Sequence, residues 1–514
     1  MEMHSNVMKM RFFISVAVTI LLSMSAMAQS GIHGTLSWSL DSNGTLSING
    51  PGVVYANGPW AAYKDKVKTI IIGDEVTEIG MVAFGGYSVV TSVYIGRGVG
   101  WIDCFPFADC PNFAEYVIDE ANLYWASVSG MLLDKAKTEI WDCPMDKKGD
   151  FIIPSTVVTL GNGTFAGNQN LTSITIPGNV KIIEDGVFQG CFNLKSVIMG
   201  EGVEVIGAWG FQNSGITSIT LPNSVTTIGD YAFRDCAIPS INLPNNLISI
   251  GKYAFSWTEL TSITIPKNVS SIGTGAFIYC YYLTNINVDK DNAYFTSENN
   301  ILFNKDKSRL MEYLPGKLES TYTIPSSVNI IDDYAFNNLH LTSITIPQNT
   351  NSIGSWAFGG CLNLSTVTVN WIIPFATNED VYDEIDPDNG SIKVIIPIFN
   401  TLDISKIHLS VPAGTAAAYR AAPVWKNFGS ITEREAVVTI HAVSSEPKIY
   451  ITGNTLYLNT PANEMISIYS PGGSLLYHGS KQEGEIHIPL HSVYDKLLIV
   501  RGSSGWVQKV ITKQ

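Results

Sequence analysis

Charge is scarce in this chain: only 15% of its 514 residues are Asp, Glu, Lys or Arg. The 31 basic residues are outnumbered by 45 acidic ones, giving a net charge of -14. No Lys/Arg cluster appears, which excludes the counterion-releasing surface that nucleic acids need and argues equally against an anionic membrane surface. Apart from Phe12–Leu22 there is no long apolar run, so the mature chain carries no membrane-spanning helix. The eight histidines are scattered. His487 and His491 are four apart, but in a strand-like E-I-H-I-P-L-H stretch that spacing does not converge two ligands. Nucleophile-elbow, zincin and phosphate-loop signatures are missing. The expectation is therefore no catalytic residue, no cofactor and no metal site. The acidic run 379–390 fails as an EF-hand: with Glu384, Asp386 and Asp388 in register, Asn389 falls where glycine is required and Ile395 where the bidentate Glu belongs.

What is present is repetition. The pattern L-T-S-I-T-I-P followed by V-x-x-I-G-x-x-A-F-x-x-C recurs about every 22 or 23 residues, with copies starting at Leu171, Leu194, Ile216, Ile238, Leu260 and Leu341 and earlier ones at Val67 and Val90. Self-similarity at that period means a solenoid. Alternation sends Leu171, Ile174 and Ile176 inward and Ser173 and Thr175 outward, and Pro177 ends the strand. Phe188 plugs the coil from a turn. A lone coil cannot offset the entropy of ordering it, so coils must stack and the ends need caps.

Two stretches break the short period. Residues 113–170 and 283–340 are both 58 long and share N-x-Y (Asn122, Tyr124; Asn292, Tyr294) and an apolar pair (Met131-Leu132; Ile301-Leu302). They read as a second, larger repeat that adds a hairpin. Residues 1–28 read as an export signal, with Lys9 and Arg11, the apolar run and Ala26-Met27-Ala28 as a cleavage site. Residues 29–66 read as an N-terminal cap and 67–435 as the solenoid, closed by a short helix in TAAAYRAAPVWKNF. Residues 436–514 alternate apolar and polar and predict a separate antiparallel β-sandwich. The fold class is mainly β: a solenoid followed by a small sandwich.

Seven cysteines in an exported chain suggest disulfides, but Cys110, Cys191, Cys236, Cys280 and Cys361 each follow a repeat Phe by three residues. On alternate coils such thiols lie roughly 10 Å apart, beyond disulfide reach, so they are read as buried free thiols. The pair Cys104 and Cys110 is left open.

Two surfaces are candidates for contact. One is the outward strand ladder, running from Ser92/Tyr94 through Ser173/Thr175 to Thr366/Thr368; it is small and polar, and strand-stabilising hydroxyls explain most of it. The other is the slot two residues before the repeat Phe, where Trp209, Tyr231 and Tyr253 occupy successive coils and Tyr334 and Trp356 later ones. These predict an aromatic stripe spaced about 5 Å apart. Tyr281 and Tyr282 could extend it. A stripe of this kind either shields the coil or forms a platform for a protein or glycan ligand.

The coil motif, the W-x-L-D-x-x-G-T-L-x-I-x-G start, the P-W-x-x-Y near Trp60 and the V-P-A-G-T-x-x-x-Y end together resemble the BspA-like leucine-rich repeat family of exported bacterial proteins. The resemblance covers roughly residues 31–435. It implies a secreted or surface-attached leucine-rich repeat solenoid without a common active site, some of whose relatives bind extracellular matrix proteins or cells. The expected partner is thus a protein, host matrix or cell surface included, with a glycan as the alternative. Residues 455–512 resemble a type 9 secretion sorting domain, although Tyr494-Asp495-Lys496 replaces its usual Gly-x-Tyr.

Overall fold

The computed structural model describes residues 27–434 and 448–511, apart from residues 146, 315–318, 375–380, 387–389 and 396–397 and the segments 453–454, 461–463, 470–474, 482–483, 490–496 and 503–506. The signal segment up to residue 26, the Pro471-Gly472-Gly473 turn, His491 and Tyr494-Asp495-Lys496 lie outside the described residues. The chain forms two compact units, residues 1–300 and 301–514. No helix among the described residues is long and apolar enough to cross a membrane.

The first unit opens on an antiparallel meander, Met27–His33, Leu36–Asp41 and Thr45–Asn49. Its third strand pairs in parallel with Thr69–Ile72, which passes the ladder to Ser92–Ile95 and Glu115–Ile118. The fully buried Trp60, on a 3-10 turn, covers the meander's inner side beside Trp38, at 6.5 Å between centroids. A second parallel ladder is built from the V-x-x-I-G run of each coil. It passes through two-residue strands at 159–160, 182–183, 205–206, 227–228, 249–250 and 271–272.

The first 58-residue unit holds the expected hairpin. Trp125–Val128, Met131–Asp134 and Glu139–Asp142 pair antiparallel, and the last strand then feeds the parallel ladder at Thr159. Asn122 explains the N-x-Y landmark. It is fully buried, donates to the carbonyls of Gly96 and Val99 in the preceding coil, and accepts from the N–H groups of Tyr124 and Trp125. Asn292 makes the matching four bonds, to Pro266, Val269, Tyr294 and Phe295. A buried amide with every polar group satisfied fixes where the loop leaves the coil.

The first strand does not persist in every coil. Leu171–Ile176 pairs with Ser196–Met199, and Ser262–Ile265 with Asn285–Val288, but the segments from Ile216 and Ile238 form no regular strand. Pro239 removes a donor from the second of these. Ile219, Leu221 and Ile241 still point inward, 7–8% exposed, so apolar burial survives the lost ladder.

A phenylalanine spine runs through the coils. Phe165, Phe188, Phe211, Phe233, Phe255 and Phe277 stack with centroids 5.0–5.8 Å apart, all essentially buried. Beside it lies the cysteine slot. Each thiol of Cys191, Cys236 and Cys280 donates to the Phe carbonyl of the coil before, at 3.0 Å. All seven cysteines are free, including Cys104 and Cys110. Burial pushes the Cys191 and Cys236 thiols up to about 12, so they stay protonated and unreactive.

In the second unit, Ile301–Asn304 pairs antiparallel with Arg309–Tyr313, which starts a short parallel ladder. The other ladder runs Thr321–Thr323, Ser343–Ile346, Thr366–Val369, His408–Val411 and Ser430–Glu433. An antiparallel hairpin, Val381–Asp386 with Gly390–Ile395, carries Asp383, Glu384 and Asp386 of the acidic run. The expected short helix is Ala416–Ala421, ending just before Pro423. It buries Tyr419, whose hydroxyl donates to the Trp371 carbonyl, and Trp425 seals the group against Trp371, Phe399 and Phe428. Beyond the repeats, seven strands among the described residues form two antiparallel sheets that bury Leu456, Leu458, Ile466, Ile468 and Val500.

Candidate functional site

The aromatic slot sits in a turn, and its backbone is the unexpected part. Trp209, Tyr231 and Tyr253 have φ of +55°, +58° and +53°. Tyr334 and Trp356, in the second unit, have +63° and +56°. This is the left-handed region, which bulky residues avoid. Glycine holds the same slot at Gly163, Gly186 and Gly275, with φ of +62° to +65°. A second left-handed position lies two residues after the repeat Phe. It is usually glycine, Asn or Asp (Gly190, Asn213, Asp235), but Trp257 and Tyr279 occupy it in two successive coils.

The local hydrogen bonds require this conformation. The N–H groups of Trp209, Tyr231 and Tyr253 donate to the carbonyls of Asp230, Lys252 and Thr274 in the following coil, at 2.8–3.2 Å. The turn therefore forms a ladder of its own, and the slot's side chains project from it in register.

The rings stack. Trp209 and Tyr231 lie 5.9 Å apart at 8° between planes, and Tyr231 and Tyr253 lie 5.0 Å apart at 18°. Tyr334 and Trp356 repeat the arrangement at 6.3 Å and 29°. Rings stacked face to face cover one another's faces and present their edges to solvent. Trp209, at the start of the row, is 40% exposed. Arg234 lies over the Tyr231 ring, 5.7 Å from its centroid, and is paired with Asp235 at 3.1 Å. Gln189 Nε2 donates to Gln212 Oε1 at 2.8 Å along the same edge.

Tyr281 joins a second cluster: it packs on Trp257 and Tyr279, which are 4.6 Å apart. Tyr282, next to it, is 63% exposed. Phe105, Trp257 and Tyr279 were legible as slot residues and escaped the sequence reading. Glycine, Asn and Asp alternating with aromatics at two fixed offsets is the signal that would have found them.

In the outward ladder Ser173 donates to Asp150 of the preceding coil. The hydroxyls one position before the ladder, Thr91, Thr261, Thr284 and Ser365, donate to carbonyls of the preceding coil. Tyr94 donates to Asp119 at 2.5 Å, and Ser92, expected outward, is buried.

One half-buried acid stands apart. Asp142, on the last strand of the first hairpin, accepts a hydrogen bond from the buried Tyr116 hydroxyl and borders a cavity of about 30 Å³ lined also by Phe107, Phe113, Cys143 and Met145. Burial raises its carboxyl to about 6 against the stabilising bonds from Tyr116 and the Cys143 N–H. Among the described residues no three His, Cys, Asp or Glu side chains converge as a metal site would.

A family model described as "BspA type Leucine rich repeat region", with six copies, matches residues 60–126, 146–219, 204–305 and 316–376, more than half of the chain. No curated protein matches it. Solved structures that it resembles include a leucine-rich repeat protein from Bacteroides ovatus, 20% identical over 79% of this chain and 89% of that one, with a TM-score of 0.37. Another is a leucine rich cell surface protein from Faecalibacterium prausnitzii, 19% identical over 81% and 97%, with a TM-score of 0.30. A third is a leucine-rich repeat protein from Eubacterium ventriosum, 20% identical over 79% and 85%, with a TM-score of 0.30.

Proposed function

The chain belongs to the BspA-type leucine-rich repeat family, and from that premise we propose that it is an exported, non-enzymatic scaffold that binds proteins at the cell surface through the aromatic slots of its coils. The observation that supports this reading is the left-handed backbone beneath Trp209, Tyr231 and Tyr253. A non-glycine residue there costs about 1–2 kcal/mol. Stacking returns about 0.5–1.5 kcal/mol per pair. Tyr231, stacked on both sides, can offset that cost, so stability alone accounts least for Trp209, which has one stacking neighbour. Trp, Tyr and Arg, here an exposed Trp209 in line with half-buried Tyr231, Tyr253 and Arg234, are the residue types that anchor protein interfaces.

The edge-on presentation favours a protein over a glycan, because a sugar ring stacks on an aromatic face and most faces here are taken. Many such contacts along a repeated surface add by avidity. Host matrix or cell-surface proteins are the partner class. The test replaces Trp209, Tyr231 and Tyr253 together with glycine. Capture of matrix or cell-surface proteins by the full chain should fall sharply while circular dichroism stays unchanged. Undiminished capture by that folded variant removes the reading.

A further inference from the structure

A regular coil leaves no strand edge open: Thr69–Ile72, for example, pairs with the coil before and the coil after. The first 58-residue unit breaks this ladder. The strand Glu115–Ile118 has its far edge covered by the hairpin, where the Tyr116 N–H donates to the Gly130 carbonyl at 2.9 Å and Ser127 Oγ donates to the Tyr116 carbonyl at 2.7 Å. The ladder restarts at Gly149–Ile152, whose one partner among the described residues is Leu171–Ile176, in the following coil. Register decides which backbone groups are left over. The Ile153 N–H donates to the Thr175 carbonyl at 3.0 Å, so Phe151 and Ile153 face that partner. Alternation then turns the N–H and C=O of Asp150 and Ile152 the other way, where no strand among the described residues lies alongside. The side chains are open as well. Ile152 is 70% exposed, Asp150 is exposed, and a Cβ built at Gly149 meets nothing within 4 Å. Where regular strand lapses at Ile238, by contrast, the coil still covers its neighbour, and the Thr261 N–H donates to the Pro239 carbonyl at 3.1 Å.

We propose that Gly149–Ile152 is an open sheet edge that takes an extended segment of a protein partner as an added strand, with a Lys or Arg aligned with Asp150 and an apolar residue aligned with Ile152. The free groups dictate the form of the occupant. Two donors and two acceptors at alternate residues along one line match an extended main chain. The molecule supplies the precedent, since a strand holds this side of Leu171–Ile176 and of Ser196–Met199. The side chains dictate its chemistry. Ile152, Thr175 and Ile198 align across three strands, and the two isoleucines are 70% and 61% exposed, so an apolar residue beside Ile152 extends the row. Asp150 aligns with Ser173 and accepts a hydrogen bond from its hydroxyl. An opposite charge beside Asp150 makes the favourable cross-strand pair, on a chain whose net charge is -14. The second 58-residue unit restarts its own ladder at Thr321–Thr323, where the Ile324 N–H donates to the Thr345 carbonyl at 3.0 Å and so turns Thr321 and Thr323 outward. Two threonines offer neither the charge nor the aliphatic neighbour, so the selective edge is the one at Asp150 and Ile152.

This inference rests on the reading that the chain binds proteins but not on its aromatic slots, and the test separates the two. The probe is the fluorescein-labelled peptide Lys-Ile-Val-Ile-Lys, titrated with the full chain by anisotropy. Controls are Glu-Ile-Val-Ile-Glu and two copies of the probe, N-methylated at the second or the third residue. The lysine peptide should bind and the glutamate peptide should bind more weakly. Only one of the two methylated copies should bind, because alternate N–H groups face the edge. Ile152→Pro removes an outward N–H and no ladder bond, and should weaken the probe about tenfold. Thr323→Pro and the triple-glycine slot variant should leave it unchanged. Hydrogen exchange on wild type gives a second reading: the Asp150 and Ile152 amides should exchange freely alone and slow with the peptide, and this decides should Ile152→Pro lose its circular dichroism spectrum. Protection of those amides in the free chain, equal binding of both methylated copies, or undiminished binding to folded Ile152→Pro overturns the proposal. A wild-type dimer in light scattering that Ile152→Pro dissolves also overturns it, in favour of a second copy of the chain. Capture of matrix or cell-surface proteins that survives Ile152→Pro but not the triple-glycine variant refutes the edge and leaves the slot reading standing; the opposite pattern removes the slots and keeps the edge.

Discussion

Replacing Tyr231 by glycine should leave the protein more stable than replacing it by alanine, the reverse of the usual order. Tyr231 sits at φ +58° between two rings. Both substitutions forfeit two stacking contacts, together about 1–3 kcal/mol. Alanine keeps its Cβ and hence the left-handed penalty of about 1–2 kcal/mol. Glycine sheds that penalty and gives back about 0.5–1 kcal/mol through its freer unfolded chain. The net expectation is glycine above alanine by roughly 0.5–1 kcal/mol at this position. Thr264, exposed in the strand Ser262–Ile265, is the control. There the backbone is extended, and alanine should exceed glycine by a similar margin. Urea midpoints of the four variants at constant slope would measure it. If alanine matches or exceeds glycine at Tyr231 as it does at Thr264, the slot is not strained, and the argument that its aromatics serve contact loses its basis.

Three further outcomes are expected. Asp142 has its carboxyl raised by burial to about 6, so its protonated form is the one the fold favours; that stabilisation is complete below the ordinary carboxylate range and is lost as pH rises through about 6. Asp142→Asn should therefore match wild type near pH 4 and exceed it above pH 6, by at most about 3 kcal/mol, read as urea midpoints against pH. Truncating the spine with Phe233→Ala removes a fully buried ring stacked on both sides; it should destabilise the first unit by about 3–5 kcal/mol, seen as a drop in Tm. Iodoacetamide at pH 8 should modify Cys104, the one cysteine with appreciable exposure, well before the six buried thiols, which should react only in denaturant; mass mapping of early labelling at Cys236 would contradict the slot described above.

The repeat made the coil legible without coordinates. Leu171, Ile174, Ile176 and Phe188 recur at fixed offsets because each coil must bury the same set against its neighbours, and any break in the period would open a void. The cysteine slot followed from the same register, and so did the row of Trp209, Tyr231 and Tyr253. The two 58-residue units were recognisable as equals because Asn122 and Asn292 answer the same buried polar demand.

Three features needed the assembled chain. The loss of regular strand at Ile216 and Ile238 depends on bonds between coils, which a pattern of side chains does not reveal. The left-handed turns arise because N–H groups at Trp209, Tyr231 and Tyr253 must reach carbonyls of the next coil; glycine at Gly163, Gly186 and Gly275 hinted at this but did not require it. The lean of the rings, which puts Phe105 over Gly163 and Tyr253 over Gly275, is the most tertiary of all. Sequence alone determined that aromatics would share one line, because the period is a matter of spacing along the chain. Which ring covers which glycine was decided by the direction in which side chains lean between stacked coils, a property of packing that no single coil possesses.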